Sequence, residues 1–149
     1  MSKVTVRTAT QDDLPELAMM FDAYRVFYAQ PGDPGKARAF LEERFENRES
    51  IVLLAELDGG PAGFTQLYPM FSSVRCCRTW VLNDLFVAVH ARRQGVADAL
   101  LEAAENHARE SGAGGLMLET QHSNKPAQVL YRKRGWQEET ETTWFSFKT

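Results

Sequence analysis

The chain has 149 residues, 44% of them hydrophobic and 25% charged, which suits one globular domain able to bury its own core. No apolar run approaches the length that crosses a bilayer, so a membrane span is excluded. A net charge of -3 at pH 7 excludes wholesale nucleic-acid binding, which relies on an excess of Lys and Arg.

The opening MSKVTVRTATQDD lacks the basic-then-apolar pattern of an export signal, and a cytoplasmic location is expected. VTVRTAT, from Val4 to Thr10, alternates with period two and predicts a strand; Thr10 then caps a helix with Asp12 and Asp13 in its first turn. Leu14, Leu17, Ala18, Phe21, Arg25 and Tyr28 follow at helical spacing. AQPGDPGKA breaks that helix from a second one, expected from about Lys36 to Asn47. IVLLAEL, the turn DGGP and AGFTQLYPMF form a hairpin signal of the Asp-Gly type.

The adjacent Cys76 and Cys77 could bridge only with strain, so two reduced thiols are expected, with neither a disulfide framework nor a metal spacing. RTWVLNDLFVAV, from Arg78 to Val89, predicts a long apolar strand with Asn83 and Asp84 embedded in it. An alanine-rich helix follows Gly95, with Val96, Ala99, Leu100, Ala103, Ala104 and Ala108 on one stripe and Gly112 closing it. GLMLETQ predicts another strand, PAQVLYRKR a short helix, and WQEE with TTWFSFK a closing strand pair. The order β-α-α-β-β-β-α-β-α-β-β is an antiparallel start that turns into a βαβ crossover.

The start of the alanine-rich helix carries the chemistry. A helix N-terminus already exposes N–H groups and partial positive charge, and Arg92 and Arg93 add two full charges there. That arrangement calls for an anion. Gly95 has no side chain and Ala97 almost none, so a pyrophosphate could approach the backbone closely. Neither the Gly-Lys-Ser/Thr ending of a nucleoside-triphosphate loop nor the three glycines of a dinucleotide fingerprint is present.

What stands here, Arg92-x-x-Gly95-x-Ala97 after Leu82-Asn83-Asp84-Leu85-Phe86-Val87, resembles the pyrophosphate motif and preceding strand of the GNAT superfamily of acetyl-coenzyme-A-dependent N-acetyltransferases. A second motif of that family, an Asn, an Ala and then LYxxxGF, is matched by Asn124, Ala127 and Leu130-Tyr131-Arg132-Lys133-Arg134-Gly135-Trp136. The resemblance covers nearly the whole chain and implies a single domain over residues 1–149. The expected fold is α/β (α+β) in three layers: a mixed, mostly antiparallel sheet with a central βαβ crossover and helices on both faces.

The resemblance also implies direct acetyl transfer from acetyl-coenzyme A to a primary amine, with no covalent enzyme intermediate and no metal. Phe86, Val87 and Val89 would bind the pantetheine arm, on a strand that splays from its neighbour. Arg92, Arg93, Gln94, Gly95, Val96 and Ala97 would surround the pyrophosphate. Tyr131 is the candidate general acid for the leaving thiolate, and Asn124 would contact pantetheine or substrate; spacing alone would equally allow a core tyrosine and a helix cap. Asp84, a carboxylate in an apolar strand, is the candidate base, or else a structural acceptor of backbone N–H groups.

The Asp84 region and the closing Trp144-Phe145 segment most resemble the diamine acetyltransferases. Those enzymes carry a Glu where this chain has Asn83, which cannot accept a proton, so water-mediated deprotonation stays open. The acceptor pocket of the superfamily falls here on Phe21, Tyr24, Arg25 and Tyr28 and the segment up to Phe45. Tyr24, Tyr28 and Asn83 are the candidate acceptor contacts, although Arg25 would oppose a polycation. Three activities compete: acetylation of a small amine, acetylation of a protein lysine or N-terminus, and non-catalytic acyl-coenzyme-A sensing. A homodimer is expected, with Trp144 and Phe145 at the contact.

Overall fold

The computed structural model describes residues 2–149. Two compact units divide the chain, one ending at Leu118 and the other spanning Glu119–Thr149.

The first unit is built on a five-stranded sheet in the order β1-β2-β3-β4-β5. Its strands are β1 (Val4–Thr8), β2 (Ile51–Leu57), β3 (Gly60–Ser72), β4 (Cys77–Val87) and β5 (Leu116–Met117). The first four are antiparallel neighbours, and β5 joins β4 in parallel after a crossover through helix α3 (Val96–Glu110). The expected antiparallel start and βαβ unit are therefore both present. Helices α1 (Leu14–Phe27) and α2 (Pro34–Glu46) separate β1 from β2.

The caps and turns follow from local chemistry. The Thr10 side chain accepts from the Asp12 N–H, and the Thr10 N–H donates to Asp13, in a capping box ahead of α1. Arg7 clamps Asp13 with two hydrogen bonds of 2.8 and 2.9 Å. Asp58 and Gly59 both have positive φ, 51° and 87°, as the tight β2–β3 hairpin requires. Gly112, at φ 72°, ends α3 in a Schellman turn: its N–H donates to Arg109 O, and Ala113 N–H to Ala108 O.

Both sheet faces are covered. Val52 and Leu54 of β2 join Leu17, Phe21, Leu41 and Phe64 in the core beneath α1 and α2, while the intervening Leu53 and Ala55 are also buried. In α3 the buried stripe is Val96, Leu100, Leu101, Ala104 and Ala108, so Leu101 takes a place that helical counting assigned to Ala99 and Ala103.

The second unit holds α4 (Lys125–Lys133), capped by the Asn124 side chain, which accepts from the Ala127 N–H at 3.4 Å. Three expectations need correction. The strand expected over GLMLETQ is reduced to Leu116–Met117, and the one expected to run to Val89 ends at Val87, with Val89 in a 3-10 turn over Val89–Ala91. The closing strand pair is absent: residues 137–149 carry no strand. Alternation supplies an apolar face but no partner, a lone hairpin is marginal in water, and Thr140–Thr143 offers none of the Gly or Asn chemistry of a tight turn.

Candidate active site

The site begins with an irregularity in β4. Gln66 of β3 faces Asp84, but the next residue, Leu67, faces Leu82, so Asn83 is an extra residue in β4, a β-bulge. Its effect is a change of face. Trp80 lies against His107 of α3, with ring centroids 4.8 Å apart, whereas Phe86 lies against Tyr24 of α1 at 6.2 Å. Six residues apart, Trp80 and Phe86 would share a face in an unbroken strand. The bulge reverses the parity and turns Asp84 toward α1 and α2.

Asp84 is buried there at 6% exposure. Gln66 Nε2 donates to its Oδ2 at 2.8 Å, Asn83 Nδ2 to its Oδ1 at 3.2 Å, and the Tyr24 hydroxyl supplies a third hydrogen bond. The fully buried Gln66 is oriented in turn by the Ser50 hydroxyl, which donates to Oε1 at 2.8 Å and leaves Nε2 for Asp84. Burial raises the Asp84 pKa above the ordinary carboxylate range, against the opposing effect of these three donors. Burial and the nearby carboxylate also push the Tyr24 hydroxyl up, so it remains a donor.

Asp84 forms part of a cleft of about 330 Å³. Phe21 and Phe40 stack at 5.8 Å, and Tyr24 meets Tyr28 edge-on at 5.0 Å, giving the cleft aromatic walls. Arg25 and Lys36 also line it. The Arg25 guanidinium is held 3.0 Å from Asp22.

Among the described residues the β4 edge that faces β5 has no ladder partner beyond Val81, because the two strands pair at Trp80 with Leu116 and at Val81 with Met117. Ala88 N–H donates to Ala62 O on the β3 side, so by alternation the backbone groups of Val87 and Leu85 point to the open edge. The Arg92 side chain reaches back to Val87 O at 3.3 Å. Gly63, opposite Val87, has no room for a side chain, since a Cβ there would run into Phe86 O.

From that edge the chain enters an exposed loop, Arg92 to Gly95, and then α3. Gly95 is the N-cap at φ 80° and ψ 11°, a left-handed conformation, and Arg93 is left-handed as well at φ 61°. An added Cβ on Gly95 would meet nothing within 4 Å, so its side is open to a ligand. Asp98 is the single acid of the helix's first turn, outnumbered by the two arginines.

In the second unit, Gly135 at φ 92° closes α4 in another Schellman turn, with its N–H on Arg132 O and the Trp136 N–H on Tyr131 O. That turn folds Trp136 back onto Tyr131, ring centroids 6.0 Å apart. The spacing of LYRKRGW thus has a local cause: its tyrosine, glycine and tryptophan are the residues that this turn brings together.

Comparison with known proteins agrees with this geometry. A sequence model of the Acetyltransferase (GNAT) family matches residues 17–136. The chain belongs to the GNAT acetyltransferase family. It is 47% identical over 137 residues to the uncharacterized N-acetyltransferase YhfO of Bacillus subtilis, covering 92% of each chain. A probable acetyltransferase of Haemophilus influenzae is 33% identical over 112 residues, covering 74% of this chain and 77% of that one. The crystal structure of a probable acetyltransferase superposes with a TM-score of 0.92 at 40% identity, covering 97% of both chains. These relatives support acetyltransferase activity for this GNAT chain.

Within that GNAT fold, Asp84, Tyr24 and Tyr28 meet in the aromatic cleft, and Phe86, Val87 and the Arg92–Ala97 segment follow one another from the β4 edge into α3. Asn83 points its amide at Asp84 and is itself exposed. Val89, 76% exposed in its 3-10 turn, is off the strand. Asn124 and Tyr131 lie on the second unit. Gln66 escaped sequence reasoning, and Lys36 entered it only as part of the segment up to Phe45; a glutamine amid the apolar residues of GFTQLY was the signal available for the first.

Among the described residues no group of three or more His, Cys, Asp or Glu could hold a metal ion, and no helix is long and apolar enough to cross a membrane.

Proposed function

We propose that the chain, working as one domain, transfers an acetyl group from acetyl-coenzyme A to the primary amine of a small molecule in a ternary complex. The amine nitrogen attacks the thioester carbonyl, the C–N bond forms as the C–S bond breaks, and the ammonium proton and the thiolate must each find a partner. The observation that carries this reading is the buried Asp84 in an aromatic cleft, on the same strand whose edge lies open before the Gly95 helix start.

Each residue then has a task. The edge backbone of Leu85 and the N–H of Val87, beside Phe86, suit the amides of a pantetheine arm, as a strand edge suits an extended chain, with Val87 O held by Arg92. The N–H groups after Gly95, with Arg92 and Arg93 and the small Ala97, suit the pyrophosphate; Gln94 and Val96 complete that segment. Asp84, its proton affinity raised by burial, takes the ammonium proton, directly or through water, with Tyr24 holding its orientation. Tyr131 protonates the leaving thiolate, a role resting on the LYRKRGW likeness and on a ring held by its turn with Trp136. Asn124 contacts pantetheine or substrate. The likeness to diamine acetyltransferases extends to motif alone, because Asn83 replaces their carboxylate. The chain is read as a cytoplasmic homodimer, with the exposed Trp144 and Phe145 as its contact.

The test is mass spectrometry of a mixed acceptor panel of amino acids, polyamines, aminoglycosides and lysine peptides incubated with acetyl-coenzyme A. One small-amine class should gain a single acetyl group. Transfer confined to the peptides would move the reading to protein acetylation, and cofactor binding without any product would move it to acyl-coenzyme-A sensing.

A further inference from the structure

The cleft has a charge polarity that its aromatic walls do not explain. Its deep end is formed by buried residues: Asp84, Phe21 at 8% exposure and Ala37 at 1%. Its rim is formed by exposed ones, Lys36, Gln30 and Tyr28. Among the described residues the buried Asp84 is the single acid lining it, and Lys36 is an exposed base. Arg25 is already matched by Asp22 at 3.0 Å, which leaves Lys36, among the described residues, as the cleft's uncompensated positive charge.

We infer that the acceptor is a zwitterion: a primary amine on an apolar, aromatic-sized body that also carries a carboxylate. Its ammonium points down to Asp84, its body lies between the stacked Phe21 and Phe40 and the Tyr24–Tyr28 pair, and its carboxylate meets Lys36 at the rim. This names the substrate class of the acceptor site and rests on the reading of the cleft as that site. The same polarity disfavours a polyamine, whose second ammonium would meet Lys36 rather than an acid. The volume of about 330 Å³ is near the lower end of small-ligand pockets and fits one ring with short substituents.

Matched pairs test this: phenylalanine against phenethylamine and tyrosine against tyramine, with putrescine as the dication. For each, binding is measured by calorimetry and acetylation by mass spectrometry. The wild-type protein should prefer the aminocarboxylate of each pair. Lys36→Glu should then lower the aminocarboxylate-to-amine ratio by about fivefold or more, the size of one partly exposed ion pair. Lys36 sits in the first turn of α2, where a glutamate is favoured, so the variant folds. Lys3→Glu, the same charge change on β1's flank, should leave the ratio where it was.

A wild-type preference for phenethylamine, tyramine or putrescine overturns the inference, as does a ratio that Lys36→Glu does not move. Either result leaves acetyl transfer itself standing if any amine is acetylated. Conversely, Lys36-dependent binding of the aminocarboxylate without acetylation supports the zwitterion site and removes the transferase reading.

Discussion

At the scale of single residues, Asp84 makes the sharpest demand. Its pKa is raised in the folded chain, so the carboxyl keeps its proton to a higher pH than free aspartate does. A base must be deprotonated to act, so kcat/KM should climb with pH through that raised value. Asp84→Asn should lower kcat/KM about a hundredfold near neutral pH and abolish this limb of the profile; a variant retaining the limb would assign it elsewhere. The linked stability has the opposite sign. A raised folded pKa means that ionising Asp84 costs stability as pH climbs from about 3.9, the free value, to the folded one, so wild-type melts should fall across that window and Asp84→Asn melts should not. Tyr131→Phe should cut kcat by about a hundredfold with acetyl-coenzyme A affinity kept, which stopped-flow and calorimetry together would establish. The burial of Asp84 was legible, since a carboxylate within VLNDLFV stands out against its apolar neighbours. Gln66 did not stand out, because nothing local says that its partner is an aspartate 18 positions away.

At the scale of elements, the helix ends were the most legible features, because their hydrogen bonds close within a few residues. Thr10 with Asp13 and Gly112 do what their residue types require, and so does Asp58-Gly59 in the β2–β3 hairpin. The clamp of Arg7 on Asp13 holds that carboxyl below the ordinary range. A depressed folded pKa contributes stability above the free value of about 3.9 and loses it as pH falls through the folded one. Asp13→Asn should therefore destabilise by about 1–2 kcal/mol at neutral pH in urea melts, with the gap to wild type closing in acid. Gly95→Val tests the α3 start. A β-branched residue at φ 80° costs about 1–2 kcal/mol of strain, while its side chain enters the open space that we propose for the pyrophosphate. Acetyl-coenzyme A affinity should fall tenfold or more by calorimetry; wild-type affinity in a folded variant would remove the pyrophosphate from that place.

At the scale of the whole molecule, element order was legible through α4, and so were the β2–β3 hairpin and the βαβ crossover, but the extent of pairing was not. The crossover from β4 through α3 to β5 follows from period and length, but the two-residue extent of β5 and the lack of strand in 137–149 depend on which edges meet. The bulge at Asn83 was also invisible, since LNDLFV reads as an unbroken strand, yet it decides which helices Asp84 faces. The open edge of β4 has a further cost, because an unpaired apolar strand edge is a template on which another chain can add. The exposed Asn83 then acts as a gatekeeper as well, placing a polar group in an otherwise apolar run. Heated without ligand, the protein should aggregate from this edge, and saturating coenzyme A should delay turbidity by more than its shift in Tm explains.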